Sequence, residues 1–390
     1  AINNLDKPSL AGPGSTTGFG QNIIDTRSDP PEIWAHESER ENADAGERAG
    51  DMMRGTLGTD YLANPNAWEE WSFNSVIDFE GARTLGGMDV DDQDPDIFYT
   101  THHSGEFGGL YKMIINRAAQ SWDADTSFGD NGHSPNKTDR IMGIAPWGDI
   151  VYVAHWGRSE VPFCSIESRD KVTGEIVAEA DVTEFYTRIN IDDEGNETIG
   201  GLGPGQVGVG PAGLAMTGHG SPNVAYINHD GDLLWVNRNG DLIGDTISNE
   251  AAALLGHSAG ARGANMQIEP DASGNVTFFC QAGNVQGTHF SALGRDGTGL
   301  FSVSFPSSIG PFRPDQTWYI TVIDEDGGDY DGIFFGTQWR LVEQDWTRPE
   351  GARKGAAAMF YFPYEVASGS LGDGGTAVEE LAADDVPDSH

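Results

Sequence analysis

An all-β fold made of small antiparallel sheets, repeated along the chain, is what this 390-residue sequence predicts. Three observations carry the prediction. From about Trp71 the text breaks into runs of four to eight residues such as "IFYTTHH", "GLYKMII", "DIVYVAHW", "NVTFFCQ" and "TWYITVI", rich in β-branched and aromatic residues and bounded by Gly, Asp, Asn and Pro. The 53 glycines are nearly twice the usual fraction of about 7%, which suits many tight turns. Helical periodicity is nearly absent, the exception being a stretch around 247–255.

Taken in order, residues 1–70 read as an N-terminal arm. Its first twenty residues have loop composition. The following "SDPPEIWAHESERENADAGERAGDMMRG" predicts one helix near 30–54, capped by Ser28 or Asp29, with Pro30 or Pro31 in its first turn and Gly55 beyond its end. Residues 71–366 hold the strands. "INHDGDLLWVNRNGDLIGD" places Asp230-Gly231 and Asn239-Gly240 where hairpin turns need positive φ, so it reads as a meander. Related units of roughly 40–50 residues recur, as radial sheets would require. Five are plain. The run 71–79 or the run 185–198 would complete a sixth, the former closing the ring against strands near 359–364. Residues 367–390 form an acidic, Gly-rich tail.

The final-hairpin turns are Asn239-Gly240-Asp241, Arg295-Asp296-Gly297-Thr298 and Lys171-Val172-Thr173-Gly174-Glu175. In these the sequence resembles the β-propeller superfolds, loosely the quinoprotein-like and NHL-like ones. The resemblance covers about 300 residues and lies in pattern; neither the tryptophan docking repeats nor the Trp-Asp signature is visible. It implies a single propeller of about six (five to seven) four-stranded antiparallel blades, and it carries over no catalytic residue.

Composition narrows the function. With 22 Lys+Arg against 61 Asp+Glu, the formal charge is -39, which repels phosphate backbones and anionic lipid surfaces. Nucleic-acid binding and membrane insertion are therefore not expected, and no apolar run is long enough for a spanning helix. Such acidity suits saline water and attracts cations. The start at Ala1 fits removal of a signal peptide or of an initiator Met. Cys164 and Cys280 are the only cysteines, and their spacing does not tell a disulfide from two thiols.

Two sets of residues are candidate metal ligands. His102, His103, His155, His219, His257 and His289 recur near strand ends, where a propeller would bring equivalent positions to its channel mouth; imidazoles there accept a transition metal. The acidic loops 89–96 and 324–332 offer Asp89, Asp91, Asp324, Asp326 and Asp329 to calcium, without matching an EF-hand. The competing reading is polar loop starts and solvated carboxylates. "GVGPAG" at 208–213 fits a dinucleotide-binding pattern but neither follows a strand-like run nor opens a helix. Asn136, Asn196 and Asn275 open glycosylation sequons. The aromatics suit sheet cores better than sugar platforms.

No catalytic motif emerges, and an arm poor in apolar residues needs a surface to lie on. The sequence therefore leads to an expected non-enzymatic structural or adhesive subunit of an extracellular assembly, such as a surface appendage or virion. Arm and tail would contact other subunits, of the same chain or a partner. A secreted or periplasmic enzyme with a His-rich metal site, and a carbohydrate- or surface-binding module, remain as alternatives.

Overall fold

The computed structural model describes residues 3–4, 17–39, 52–59, 67, 69–73, 85–102, 108–130, 132–135, 140–156, 164–183, 187–191, 194–195, 197–201, 204–210, 213–218, 221–227, 233–238, 241–243, 262–270, 276–284, 287–293, 299–304, 312–323, 332–341 and 355–363, with described side chains confined to 23–216. Among these residues the fold is all β. After a two-residue strand β1 (Asn3–Asn4) come β2 (Thr17–Asp25), β3 (Glu32–Glu39), β4 (Met52–Thr56) and β5 (Glu69–Phe73). The next group is β6 (Leu85–Val90), β7 (Ile97–His102), β8 (Gly109–Asn116), β9 (Ser121–Ala124) and β10 (His133–Pro135). Then follow β11 (Arg140–Trp147), β12 (Ile150–Trp156), β13 (Ser165–Asp170), β14 (Ile176–Asp181), and a separate hairpin of β15 (Thr187–Ile191) and β16 (Glu197–Gly201). Beyond it lie β17 (Pro204–Gly210), β18 (Gly213–Gly218), β19 (Ser221–Ile227), β20 (Leu233–Arg238) and β21 (Asp241–Ile243), then β22 (Arg262–Pro270), β23 (Val276–Asn284), β24 (Gly287–Leu293) and β25 (Gly299–Ser304). The last strands are β26 (Phe312–Ile323), β27 (Gly332–Leu341) and β28 (Gly355–Pro363).

Each group is an antiparallel meander in chain order. The first strands touch in a cycle: β2 meets β6, β6 meets β11, β11 meets β17, β17 meets β22, β22 meets β26, and β26 meets β2. Sheets set radially around their first strands make a β-propeller. Two further pairings tie neighbours together. β1 adds to β28, with Asn3 opposite Met359. The outer strands β5 and β9 pair in parallel, Ser72 opposite Ser121, so the first two meanders merge into one sheet.

Strand alternation makes both faces of these sheets interior, since each faces a neighbour. Ile23, Trp34 and Trp71 pack against Met88, Phe98, Tyr111, Met113 and Trp122 between the first two meanders. Trp34 sits at its centre, edge-on to Trp71 (4.9 Å) and to Phe98 (5.2 Å). Tyr99, Leu110 and Phe128 meet Ile141, Ile144, Val151 and Val153 at the next interface. On the far face of β12 and β13, Tyr152, Ala154, Cys164 and Ile166 meet Val207, Leu214 and Met216. Cys280 lies on β23, with the β17–β21 sheet between the two cysteine-bearing sheets in chain order.

Over its described residues, 30–39 and 52–54, the expected helix near 30–54 is not formed: β3 and β4 lie there, paired Glu32 to Thr56 through His36 to Met52. Ile33 and Trp34 gain more from burial between two sheets than the Glu/Ala-rich stretch gains from helix propensity. The domain therefore does not start at 71; the described part of the expected arm, from Thr17 on, is itself a blade-like sheet. Nor do the described residues of the run 71–79, which are 71–73, close the ring, since Trp71 lies on β5 between β4 and β9 and the strand added to β28 is β1. The run 185–198 supplies parts of the two-stranded hairpin instead of a full sheet. The region 247–255, the tail 367–390, Gly240 and Gly297 lie outside the described residues, although Arg238 stands opposite Asp241 in the β20–β21 register.

The predicted turn at 171–175 is present. Asp170 Oδ1 accepts the amides of Val172 (2.9 Å) and Thr173 (2.6 Å), and Gly174 takes φ +74. The Thr173 amide holds the Asp170 carboxyl below its usual range.

Candidate functional site

The described residues contain one constellation of hydroxyl, imidazole, carboxylate and guanidinium, and it lies between the β6–β10 and β11–β14 sheets. Period-2 alternation builds it: Ser165, Glu167 and Arg169 share one face of β13, and His155 stands opposite Ser165 on β12. Gly109 and β10 complete it. A Cβ on Gly109 would come within 2.4 Å of the Ser134 carbonyl oxygen, so only glycine lets β10 approach β8 here.

All of His155, Ser165, Glu167 and Arg169 are fully buried. Glu167 Oε2 accepts from Arg169 Nη2 (2.6 Å) and Nε (2.9 Å), and His155 Nε2 lies 2.8 Å from the same oxygen. Arg169 Nη1 donates to the Ser134 carbonyl (2.9 Å) and hydroxyl oxygen (2.6 Å), and that hydroxyl donates to the Gly174 carbonyl (2.6 Å). Burial alone would raise the Glu167 carboxyl; the His155 and Arg169 hydrogen bonds and charges overcome it and hold it below the usual range. Glu167 Oε1 and Ser165 Oγ have no hydrogen-bond partner. A nucleophile–base arrangement works only where substrate can reach it. Here every member is sealed, so the arrangement acts as a brace joining two sheets.

A second cluster ties three meanders through Lys171, Asp91 and Arg27. Lys171 Nζ lies 2.8 Å from Asp91 Oδ2 and also pairs with Asp92. Asp91 Oδ1 accepts the amides of Gln93 (2.8 Å) and Asp94 (3.0 Å), and Arg27 Nη1 donates to the Asp91 carbonyl (2.8 Å). Asp92 Oδ2 accepts the Gly148 amide (2.9 Å). Asp89, on the innermost strand β6, is pushed up to about 7, chiefly by burial. Nearby, Glu32 accepts from both Arg54 and Arg117, whose guanidinium carbons each lie 5.9 Å from the Trp34 ring centroid.

The expected metal ligands divide accordingly. His155 does not face a channel mouth; it is turned into the sheet interface against Glu167. The Asp91 carboxylate is occupied by Lys171 and two amides. His102 ends β7 and His289 lies on β24, with side chains outside the description; His103, His219, His257, Asp324, Asp326 and Asp329 lie outside the described residues. Glu167, Arg169, Ser134, Lys171 and Arg27 were not anticipated. Their one legible signal was opposite charge two residues apart on a strand, Glu167 and Arg169.

No family model matches the chain, and no curated protein matches it. Among solved structures, it is similar to the subtype N11 neuraminidase-like protein of A/flat-faced bat/Peru/033/2010 (H18N11), with TM-score 0.43 and 9% identity over 89% of this chain and 87% of that one. It is also similar to Myxococcus xanthus glutaminyl cyclase, with TM-score 0.35 and 11% identity over 68% of this chain and 87% of that one. Neither similarity assigns an activity to this chain.

Proposed function

We propose that the chain is a non-enzymatic structural or adhesive subunit of an extracellular assembly, exposed on a cell or virion surface. It is built as a six-bladed propeller closed by β1 on β28. The observation that carries the reading is the sealing of the His155–Glu167–Arg169–Ser134 constellation: the groups that could do chemistry are used to fasten blades. Contacts with other subunits fall to the exposed parts of residues 1–70 and to the tail 367–390. The formal charge of -39 suits a saline exterior, and calcium is the cation such a surface would recruit.

Light scattering on the full chain in molar salt, with elemental analysis of the same sample, tests this. The expected result is an assembly, or a stable complex with a second protein, carrying no stoichiometric transition metal. A strict monomer holding one equivalent of copper, zinc or iron would replace this reading with the metal-enzyme one.

A further inference from the structure

The innermost strands β2, β6, β11, β17, β22 and β26 begin and end on opposite charges. Arg27, just past β2, donates to the Asp91 carbonyl just past β6, and Asp92 accepts the amide of Gly148, just past β11, so these three strands end together. The four-stranded meanders β11–β14 and β22–β25 each return the chain to the end where they began, and radial sheets entered from their inner strands keep one sense around the ring. The first two places of the six strands hold Arg140, Arg262 and Arg313 and no carboxylate. The last two hold Asp25, Asp89 and Glu269 and no Lys or Arg. With 22 Lys+Arg against 61 Asp+Glu, composition alone favours carboxylates at both ends.

The second strands add to the arginine end. Arg340, near the end of β27, stands directly opposite Arg313, and Arg262 begins β22, the neighbour of β26 in the ring. Like charges at opposed positions destabilise a strand pair, and an anion shared between them relieves it. Within four places of this end, the inner and second strands carry the carboxylates Glu37, Glu39 and Asp315, so the arginines leave a positive excess in a chain of formal charge -39.

The chain holds a matching segment. Residues 367–390 carry Asp373, Glu379, Glu380, Asp384, Asp385 and Asp388, and no Lys or Arg. They follow β28, whose first residue Gly355 stands opposite Arg340 and whose last, Pro363, stands opposite Gly332. The chain therefore leaves β28 at the end of the ring away from the arginines, where Asp25, Asp89 and Glu269 lie. An acidic segment issuing there is repelled by its own end of the ring and complements the arginine end of another copy placed in line.

We propose that the end of the ring marked by Arg140, Arg262, Arg313 and Arg340 receives the acidic segment 367–390 of a second copy, joining propellers head to tail. This deepens the assembly reading and rests on it, by naming the surface that the tail meets. Such a contact uses two different patches, so it propagates from copy to copy instead of stopping at a two-fold dimer.

The test is a charge swap in the full chain, read by light scattering in the same molar salt. One variant carries Arg313→Glu and Arg340→Glu; the other carries Glu379→Lys, Glu380→Lys, Asp384→Lys and Asp385→Lys. The native chain should associate, and each variant alone should associate at least about tenfold more weakly. Mixed in equal amounts they should recover association, because each tail then meets an end of opposite charge. The tail variant leaves every described strand untouched, and it decides alone if thermal melts show that the arginine variant does not fold. Native-like or stronger association of the tail variant, or no recovery on mixing two folded variants, overturns the proposal and leaves the assembly reading in place. A native chain that stays monomeric overturns both.

Discussion

The two faces of the β11–β14 sheet are made from the same strands and do opposite things. Toward β17 and β18 the face is apolar: Tyr152, Ala154, Cys164 and Ile166 against Val207, Leu214 and Met216. Toward β6–β10 the same strands present Val151 and Val153 and then, two residues on, His155 beside Glu167 and Arg169. An apolar face is non-directional and tolerates sliding; a buried ion pair with a fixed fork of hydrogen bonds sets one register between sheets. The difference teaches that charge inside this fold fixes how neighbouring sheets align, while apolar burial provides most of the stability.

The largest expected effect breaks the polar face. Arg169→Met takes two hydrogen bonds and the guanidinium charge from the buried Glu167 carboxylate, leaving it only His155, and should cost about 3–5 kcal/mol in urea unfolding. Glu167→Leu combined with Arg169→Met should recover most of that loss, because it removes both charges together. On the apolar face, Ile166→Ala should cost about 2–4 kcal/mol, with no such rescue by a second change.

Acidity separates the faces further. Glu167 is held below its usual range, so its contribution is present above the ordinary carboxylate pKa and is lost as pH falls through its folded value. Asp89 behaves oppositely: its folded pKa of about 7 lies above the ordinary value, so its contribution is complete in acid and is lost as pH rises through about 7. Thermal melts from pH 5 to 8.5 should therefore fall for the native chain and flatten for Asp89→Asn, which should gain a few kcal/mol at the alkaline end. The smallest effect is Ser165→Ala. Its hydroxyl has no partner, so removal should change stability by under about 1 kcal/mol, sharpening the view that Arg169 and Glu167 carry the polar face.

Strand content, hairpin turns and the repeat of small sheets were legible because each is local. Asp170 and Gly174 signal their turn within a few residues, and alternation is visible in "YVAHW" and "CSIESRD". The first sheet was missed because local propensity in "EIWAHESERE" pointed to helix, whereas burial of Ile33 and Trp34 between sheets decided for strand. The site was misread for a related reason. His155 was taken by its place near a strand end, but which face it occupies depends on its opposition to Ser165, a pairing across a loop. Lys171 and Asp91 meet only because consecutive sheets pack face to face, which no local stretch of sequence reveals.

The ring of first strands has a consequence for how the chain is made. Apart from β1, which adds to β28, the strands of each meander are contiguous in sequence, so each meander can fold soon after it is synthesised, with short loops to close. The contact of β2 with β26, and of Asn3 with Met359, joins the two ends of the chain and must wait for the last strands. Until then β2 keeps one side without its neighbour, and the incomplete ring exposes apolar surface to other nascent chains. Closure is thus the slow, concentration-sensitive step, and salt, which screens repulsion among so many carboxylates, should quicken it.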